Sequence, residues 1–301
     1  MNGTVLVTGA TGRVGGEVVS QLAAAGTPVR ALARDPGSAR VPAGTDVVRG
    51  DLAEPRTLAP ALAGIGTVFL VWPTLAADHA ARATLEVIAE HATRVVYLSA
   101  NGVPGHNGGG PGTPASILDS HALIEHLIEE SGMESTFLRP TGFAANTLGW
   151  ADEIRATGVV RWPYAAAARS LIHERDIAAV AARVLTEDGG YPGAKLLLSG
   201  PEAVTQADQV RIIGEASGRP ARFEEIPPGD ARRKLVSAWG NEAAVDAALA
   251  TWASFVTEPE LVTSTVRDVT GRPARPFRDW AAEHAADFGP AGATAAGRPP
   301  R

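Results

Sequence analysis

The sequence contains no cysteine. This absence excludes disulfides, thiolate metal sites and a cysteine nucleophile, and it agrees with a reducing, cytoplasmic location. Basic residues are in the minority, with 27 Lys and Arg against 33 Asp and Glu. No nucleic-acid partner is expected, because contact with a phosphate backbone needs a basic surface.

Long hydrophobic runs are also missing. The longest, such as "TVFLVWP", are much shorter than the roughly 20 residues that cross a bilayer, so no membrane partner is expected. The motifs H-x-x-x-H and G-x-S-x-G do not occur, and no carboxylate cluster suits a cation. We therefore expect no metal.

Strand-like and helix-like segments alternate regularly up to Pro140. Runs such as "TVLVTG" and "RVVYLSA" are rich in β-branched and apolar residues, and helical periodicity separates them, as over residues 116–131. This alternation predicts βαβ units, hence an α/β fold with a doubly wound, parallel, Rossmann-type sheet.

The pattern loosens after Pro140 and is lost at the C-terminus. Residues 1–140 are predicted to form a nucleotide-binding Rossmann domain to which residues 166–200 return. Residues 141–286 are predicted to form a smaller, mostly helical, substrate-binding part. Residues 287–301 have no periodicity and are predicted to be a disordered tail.

The stretch "VLVTGATGRVGGEVV" places three glycines, Gly9, Gly12 and Gly15, between a strand and a helix. Glycines there let the backbone turn tightly and approach a pyrophosphate, which the helix N-terminus attracts. The spacing differs from the common G-x-G-x-x-G form, and a tight turn without a ligand is the alternative. We predict a dinucleotide site that also includes Thr11, Arg13 and Val14.

The end of the second strand distinguishes NAD from NADP. An acid there accepts from the ribose 2′-OH of NAD, and a basic residue there binds the 2′-phosphate of NADP. The strand is expected to end at Ala33, so Arg34 is the phosphate partner and NADP(H) is preferred. Asp35, roughly 20 residues past the last glycine, favours NAD by simple counting.

Further cofactor contacts are predicted after two later strands of the sheet, the third and the fifth. Asp51 and Leu52 follow "DVVRG", where an acid accepts from the adenine amino group or is an ordinary turn residue. Ser99 ends "VVYLS" at the carboxyl edge of the sheet, where ligands bind in such folds. Ser99 is also a catalytic candidate.

The segments "VLVTGATGRVG", "RALARDP", "VVYLSANG", "LIEESGMESTFLRPTGFAAN" and "IHERDIAAVAARVLTEDG" resemble the atypical short-chain dehydrogenase/reductases, specifically the NmrA-like group. The resemblance implies a Rossmann sheet and a C-terminal part closing over the nicotinamide. Many such members have a Lys four residues before a helical Glu. Glu125 matches that Glu, and His121 takes the Lys position. The Tyr of classical members falls at Ile117, so the Tyr–Lys pair is missing.

His121 is the second catalytic candidate. Helical spacing places it on the side that faces the sheet, where a neutral imidazole can donate to the nicotinamide ribose or protonate a substrate oxygen. The alternative is a histidine that fills the space of the lysine. The loop at 101–115, which includes His106, has the composition of a mobile lid.

A flat or aromatic small-molecule substrate is predicted from residues that flank the site. These are Trp72, Asn101, Phe143, Trp162 and Tyr164. For any single aromatic residue, packing in the core beneath the loops is the alternative.

Together these features predict an NADPH-dependent reductase of specialised metabolism, a monomer or homodimer. It would pass hydride to a conjugated carbonyl, quinone-like or aromatic acceptor, with His121, Ser99 or water supplying the proton. One alternative is an NADP-sensing regulator without turnover. The other is an isomerase or cyclase that reuses the pocket.

Overall fold

The computed structural model describes residues 3–73, 75–103, 116–187 and 191–289. His106 and most of the predicted lid loop lie outside the described residues, as do residues 290–301 of the predicted tail. The chain divides into two compact units. The first unit consists of Met1–Pro140, Glu174–Leu198 and Thr265–Arg272, and the second of Thr141–His173, Ser199–Ser264 and Pro273–Arg301.

The strands are short and are named in chain order. They are β1 (Val5–Val7), β2 (Val29–Ala33), β3 (Asp46–Arg49), β4 (Thr67–Leu70), β5 (Arg94–Leu98), β6 (Glu134–Pro140), β7 (Val159–Trp162), β8 (Ala168–Arg169), β9 (Lys195–Leu198), β10 (Val204–Thr205) and β11 (Arg222–Glu225).

The helices are α1 (Arg13–Ala24), α2 (Ala59–Leu62), α3 (Ala81–Ala89), α4 (Ile117–Glu130), α5 (Ala151–Thr157), α6 (Glu174–Thr186), α7 (Gln206–Ser217), α8 (Pro228–Trp239), α9 (Glu242–Ser254), α10 (Thr265–Thr270), α11 (Phe277–Glu283) and α12 (Ala285–Phe288). Short 3₁₀ turns supplement them, for example Leu75–Ala80 before α3 and Ala144–Trp150 before α5.

The first unit contains a seven-stranded sheet in the order β3-β2-β1-β4-β5-β6-β9. Every neighbouring pair is parallel. The strand order reverses direction between β1 and β4, and ligands of open α/β sheets bind in the crevice outside the carboxyl ends of such a pair. The predicted Rossmann-type α/β fold is confirmed.

The core of the first unit explains why its strands read as continuous apolar runs. All three residues of β1 are buried, as are four of the five residues of β5. Helices cover both faces of a parallel sheet, so the side chains on both faces of its central strands are buried. On α1 the buried residues include Val18 and Leu22, four apart, and α1 packs against α6.

The second unit has two small sheets, β8 with β10 and β7 with β11, surrounded by helices. Its core includes Ile154, Ile213, Trp280 and Phe288. Phe288 is fully buried and belongs to α12, so the predicted start of the tail at residue 287 is wrong. A buried aromatic ring holds the chain in place beyond that boundary.

Within the described ranges, no helix has both the length and the apolar character needed to cross a membrane.

Candidate active site

The glycine loop lies at the reversal point of the sheet and connects β1 to α1. The Thr8 hydroxyl joins the ends of β1 and β4, since it accepts from the Val71 amide at 2.7 Å and donates to the Val71 carbonyl at 3.1 Å. Gly9 has φ +59°, and a Cβ there would meet the Val71 Cβ at 2.9 Å. Only glycine meets both constraints without strain.

The N-terminus of α1 is open toward a ligand. Gly12 precedes the helix, no side chain caps it, and no acidic residue stands in its first turn. Thr11, Gly12 and Arg13 are exposed, whereas Val14 and Gly15 are buried. Unpaired N–H groups and the positive end of the helix dipole suit a pyrophosphate, so this loop fits the dinucleotide predicted from the sequence.

The position of Arg34 agrees with the strand end predicted from the sequence. β2 ends at Ala33, and Arg34 follows as an exposed residue. The carboxylate of Asp35 is already engaged within the protein, because it accepts a hydrogen bond from the Gly37 amide at 3.1 Å and caps a 3₁₀ turn. Among the described residues, neither Arg34 nor Arg13 has an ion-pair partner. Both arginines remain available to a phosphate.

Asp51 and Leu52 form a structured turn after β3. The Asp51 carboxylate accepts from the Ala53 amide at 2.9 Å, as in an ordinary aspartate turn. Leu52 is buried, and its carbonyl accepts from the Thr84 hydroxyl at 2.7 Å. The carboxylate has one oxygen engaged within the protein, so its contact with adenine stays a prediction.

His121 faces the sheet, as its helical spacing predicted. Ser116 and Asp119 form a capping box that starts α4 at Ile117. One turn into the helix, Nδ1 of His121 lies 2.6 Å from the hydroxyl of Tyr97 on β5. Ile117, at the position of the classical tyrosine, is 55% exposed.

The surroundings keep both members of the Tyr97–His121 pair uncharged. Burial lowers the pKa of His121 to about 4, and the nearby carboxylates of Glu125 and Asp78 act in the opposite direction with smaller effect. Burial, followed by the same two carboxylates, raises the pKa of Tyr97 well above its usual value. At neutral pH the pair is therefore a neutral imidazole and a protonated phenol.

Ser99 belongs to a buried polar cluster beside this pair. Its hydroxyl donates to Oε1 of Glu125 at 2.5 Å. Arg139 binds the same carboxylate with two hydrogen bonds, Nε to Oε1 at 2.9 Å and Nη2 to Oε2 at 2.5 Å. The Lys195 ammonium lies 3.6 Å from Oε2. The proton of Ser99 is committed to Glu125, so only its lone pairs face a ligand.

Sequence reasoning missed Tyr97 and the role of Glu125 in this cluster. A signal was present in the spacing. Tyr97 lies on β5 and Ser99 follows two residues later, directly after the strand ends, and His121 and Glu125 are four apart on α4. Each pair therefore shares one face of its element. Matching the two patterns would have indicated contacts between α4 and β5.

Trp72 lies mainly in the core of the first unit, 8% exposed. Its indole N–H donates to Oδ1 of Asp78 at 2.8 Å, and the Ser120 hydroxyl donates to the same oxygen at 2.9 Å. This placement corresponds to the core alternative considered for the aromatic residues. Asn101 is exposed, and its backbone N–H donates to the Pro140 carbonyl at 2.9 Å.

The other predicted substrate contacts lie in the second unit. Phe143, Trp162 and Tyr164 are half-buried. The Trp162 ring contacts Trp252 at 5.4 Å between centroids, and Tyr164 has φ +59°. The Gln206 amide holds the Tyr164 loop by donating to its carbonyl at 2.9 Å. Strained backbone of this kind clusters at functional sites.

No group of three or more His, Cys, Asp or Glu side chains is arranged for a metal ion in the part of the chain that the structure describes.

The strand order, the open helix N-terminus and the glycine turn define a Rossmann-type, dinucleotide-binding protein. A model of the NmrA-like family matches residues 1–261. The chain therefore belongs to the NmrA-like family, and the resemblance noted in the sequence is confirmed. Its fold is an NAD(P)-binding fold.

Relatives and solved structures agree with this placement. The chain is 40% identical to a (4-alkanoyl-5-oxo-2,5-dihydrofuran-3-yl)methyl phosphate reductase of Streptomyces griseus, over 95% of this chain and 99% of the relative. It is 36% identical to an NAD(P)H azoreductase of Xenophilus azovorans, over 95% and 100%. An NADPH-dependent quinone oxidoreductase from Escherichia coli shares the fold, with TM-score 0.74, 22% identity and coverage of 93% and 98%.

Proposed function

We propose that the protein is an NADPH-dependent reductase of specialised metabolism that acts on a conjugated carbonyl, quinone-like or aromatic acceptor without a Tyr–Lys pair. The observation that carries the proposal is the neutral His121, held by Tyr97 at the position of the family's lysine. When bound, the reduced nicotinamide supplies the hydride. The protein binds the acceptor, orients it and stabilises the charge that develops on its oxygen.

The acceptor class follows from what a neutral imidazole can do. An isolated ketone becomes a localised alkoxide and needs a positioned general acid beside its oxygen. A conjugated acceptor spreads the negative charge over several atoms, so a hydrogen bond from His121 stabilises it sufficiently, and water can deliver the proton. Ser99 does not replace the missing acid, because its hydroxyl donates to Glu125.

The names of the two relatives support this acceptor class. The substrate named for the Streptomyces griseus relative has a ring C=C bond conjugated to a lactone carbonyl and an alkanoyl group. The Xenophilus azovorans relative is named for azo compounds. Both acceptors delocalise the charge that a hydride brings. The aromatic residues predicted from the sequence to contact such a flat substrate are Phe143, Trp162 and Tyr164 of the second unit. These contacts, like those predicted for Asn101 and Trp72, stay predictions.

The preference for NADPH rests on Arg34, and alanine at this position tests it. A charge-assisted contact with the 2′-phosphate contributes about 1.5–3 kcal/mol. Arg34→Ala should therefore raise the Kd of NADPH about 10- to 100-fold and leave the Kd of NADH within about twofold. Nicotinamide fluorescence titration measures both constants. Arg40→Ala, at another exposed arginine of the same segment, is the control. A parallel loss for both nucleotides would assign Arg34 a general role instead.

The acceptor class is tested by single-turnover oxidation of NADPH with quinones, enones, azo dyes and isolated ketones. Conjugated acceptors should react and isolated ketones should not. His121→Ala should slow the reaction about 10- to 100-fold while NADPH binding persists, since it removes a positioned hydrogen bond in the transition state. His91→Ala, at an exposed histidine in the turn after α3, should react like the parent.

Other outcomes of that experiment identify the alternatives. Tight NADPH binding without oxidation on any acceptor would indicate a sensor. Conversion of a substrate with NADPH recovered unoxidised would indicate an isomerase or cyclase. Equal rates with isolated ketones, or an unchanged rate in His121→Ala, would contradict the mechanism.

A further inference from the structure

Two hydrogen bonds join α4 to β5 and to Ser99, the residue that follows β5, like adjacent rungs of a ladder. Tyr97 contacts His121 at 2.6 Å, and Ser99 contacts Glu125 at 2.5 Å. The rungs are adjacent because two residues along a strand and four residues along a helix both advance by about 6–7 Å on one face. The polarity of each rung, meaning which partner donates the hydrogen bond, determines whether His121 and Ser99 can donate to a ligand or accept from it.

The polarity of the first rung follows from burial. The Tyr97 side chain is fully buried, and its phenol keeps its proton at neutral pH. Among the described residues, the only partner of that hydroxyl is Nδ1 of His121. If Nδ1 carried the imidazole proton, the phenolic O–H would be buried without an acceptor, which is costly. The phenol therefore donates, Nδ1 accepts, and the imidazole proton resides on Nε2.

The polarity of the second rung follows from charge. Arg139 binds both carboxylate oxygens of Glu125, and Lys195 lies nearby. An ionised carboxylate has only acceptor sites, so the Ser99 hydroxyl must donate to it. The remaining lone pairs of Ser99 can only accept.

We propose that Tyr97 and Glu125 are positioning residues. Tyr97 fixes His121 as a hydrogen-bond donor at Nε2, and Glu125 fixes Ser99 as an acceptor at Oγ. On the proposed function, the acceptor carbonyl or quinone oxygen binds His121, and a ligand N–H or O–H group binds Ser99. His121 is then not a net source of protons, because donation from Nε2 with uptake at Nδ1 would leave a buried tyrosinate. The proton that completes the reduction comes from water.

The first test is the tautomer of His121, read by NMR on protein with ¹⁵N-labelled histidine and assigned with His121→Asn. The parent should show a protonated Nε2 and an unprotonated Nδ1. Tyr97→Phe should shift the Nδ1 resonance and introduce the second tautomer. A parent with the proton on Nδ1, or a spectrum unchanged in Tyr97→Phe, would overturn the inference for Tyr97. This reading needs no substrate and no turnover.

The second test is kinetic. Tyr97→Phe keeps the ring and its packing, so kcat with a conjugated acceptor should fall about tenfold while the KM for NADPH stays unchanged. Tyr191→Phe, a half-buried tyrosine elsewhere in the first unit, is the control. If the parent reduces conjugated acceptors but carries the opposite tautomer, this inference fails and the proposed function stands. If the parent has the expected tautomer and reduces nothing, the proposed function fails alone.

Discussion

Glu125→Ala should destabilise the protein by about 3–5 kcal/mol, the range found when one partner of a buried ion pair is removed. Glu125 is 3% exposed and accepts from Arg139 and Ser99. Its loss leaves the Arg139 guanidinium, whose side chain is 19% exposed, without its carboxylate and mostly shielded from water. Urea unfolding followed by circular dichroism measures the change.

The matched control lies one turn further along α4. Glu129 also binds Lys195, at 2.8 Å, but its side chain is 42% exposed. Glu129→Ala should change the stability by at most about 1 kcal/mol, because water replaces an exposed partner. Similar losses in the two variants would show that burial does not govern this cluster. Glu125→Gln should lie between them, because the amide keeps an acceptor for Ser99 but loses the charge that Arg139 requires.

The alternation of strands and helices was predictable because it depends on the local periodicity of apolar residues. The buried strands of a parallel sheet give continuous apolar runs. The start of α4 is marked by Ser116 and Asp119, which form its capping box. The secondary structure of the second unit was harder to predict from the sequence. β7 falls in a stretch whose sequence predicts an irregular connection, because "VVRW" is short and runs into Pro163. Its partner is β11, more than sixty residues away in the sequence.

The geometry of the glycine loop was predictable for the same reason, since the places of Gly9, Gly15 and Arg34 follow directly from strand and helix boundaries. The Tyr97–His121 contact joins residues 24 apart. It depends on how α4 lies on β5, which no local pattern specifies. Sequence therefore indicated that His121 faces the sheet, and only the packed structure shows what holds its imidazole.

The three loop glycines are required for different reasons, which substitutions should separate. A Cβ at Gly15 would lie 2.2 Å from the Gly9 carbonyl oxygen and 2.7 Å from its carbon. The turn and α1 cannot both keep their places, so Gly15→Ala should cost about 3 kcal/mol or more in stability, at the upper end of overpacking effects. Thermal or urea unfolding measures that loss. The Kd of NADPH should rise at least about 100-fold as the loop is displaced.

The packing of the protein itself does not require glycine at position 12. Its φ of -86° suits any residue, and a Cβ there would meet only the Gly9 carbonyl oxygen, at 3.2 Å. A small shift relieves such a contact, so Gly12→Ala should keep nearly the parent stability. Glycine is needed at this position because a side chain would obstruct a pyrophosphate that approaches the N-terminus of α1. Gly12→Ala should therefore weaken NADPH binding without unfolding the chain. If Gly12→Ala bound NADPH like the parent, the loop would be a turn that serves only the fold, and the dinucleotide would have to bind elsewhere.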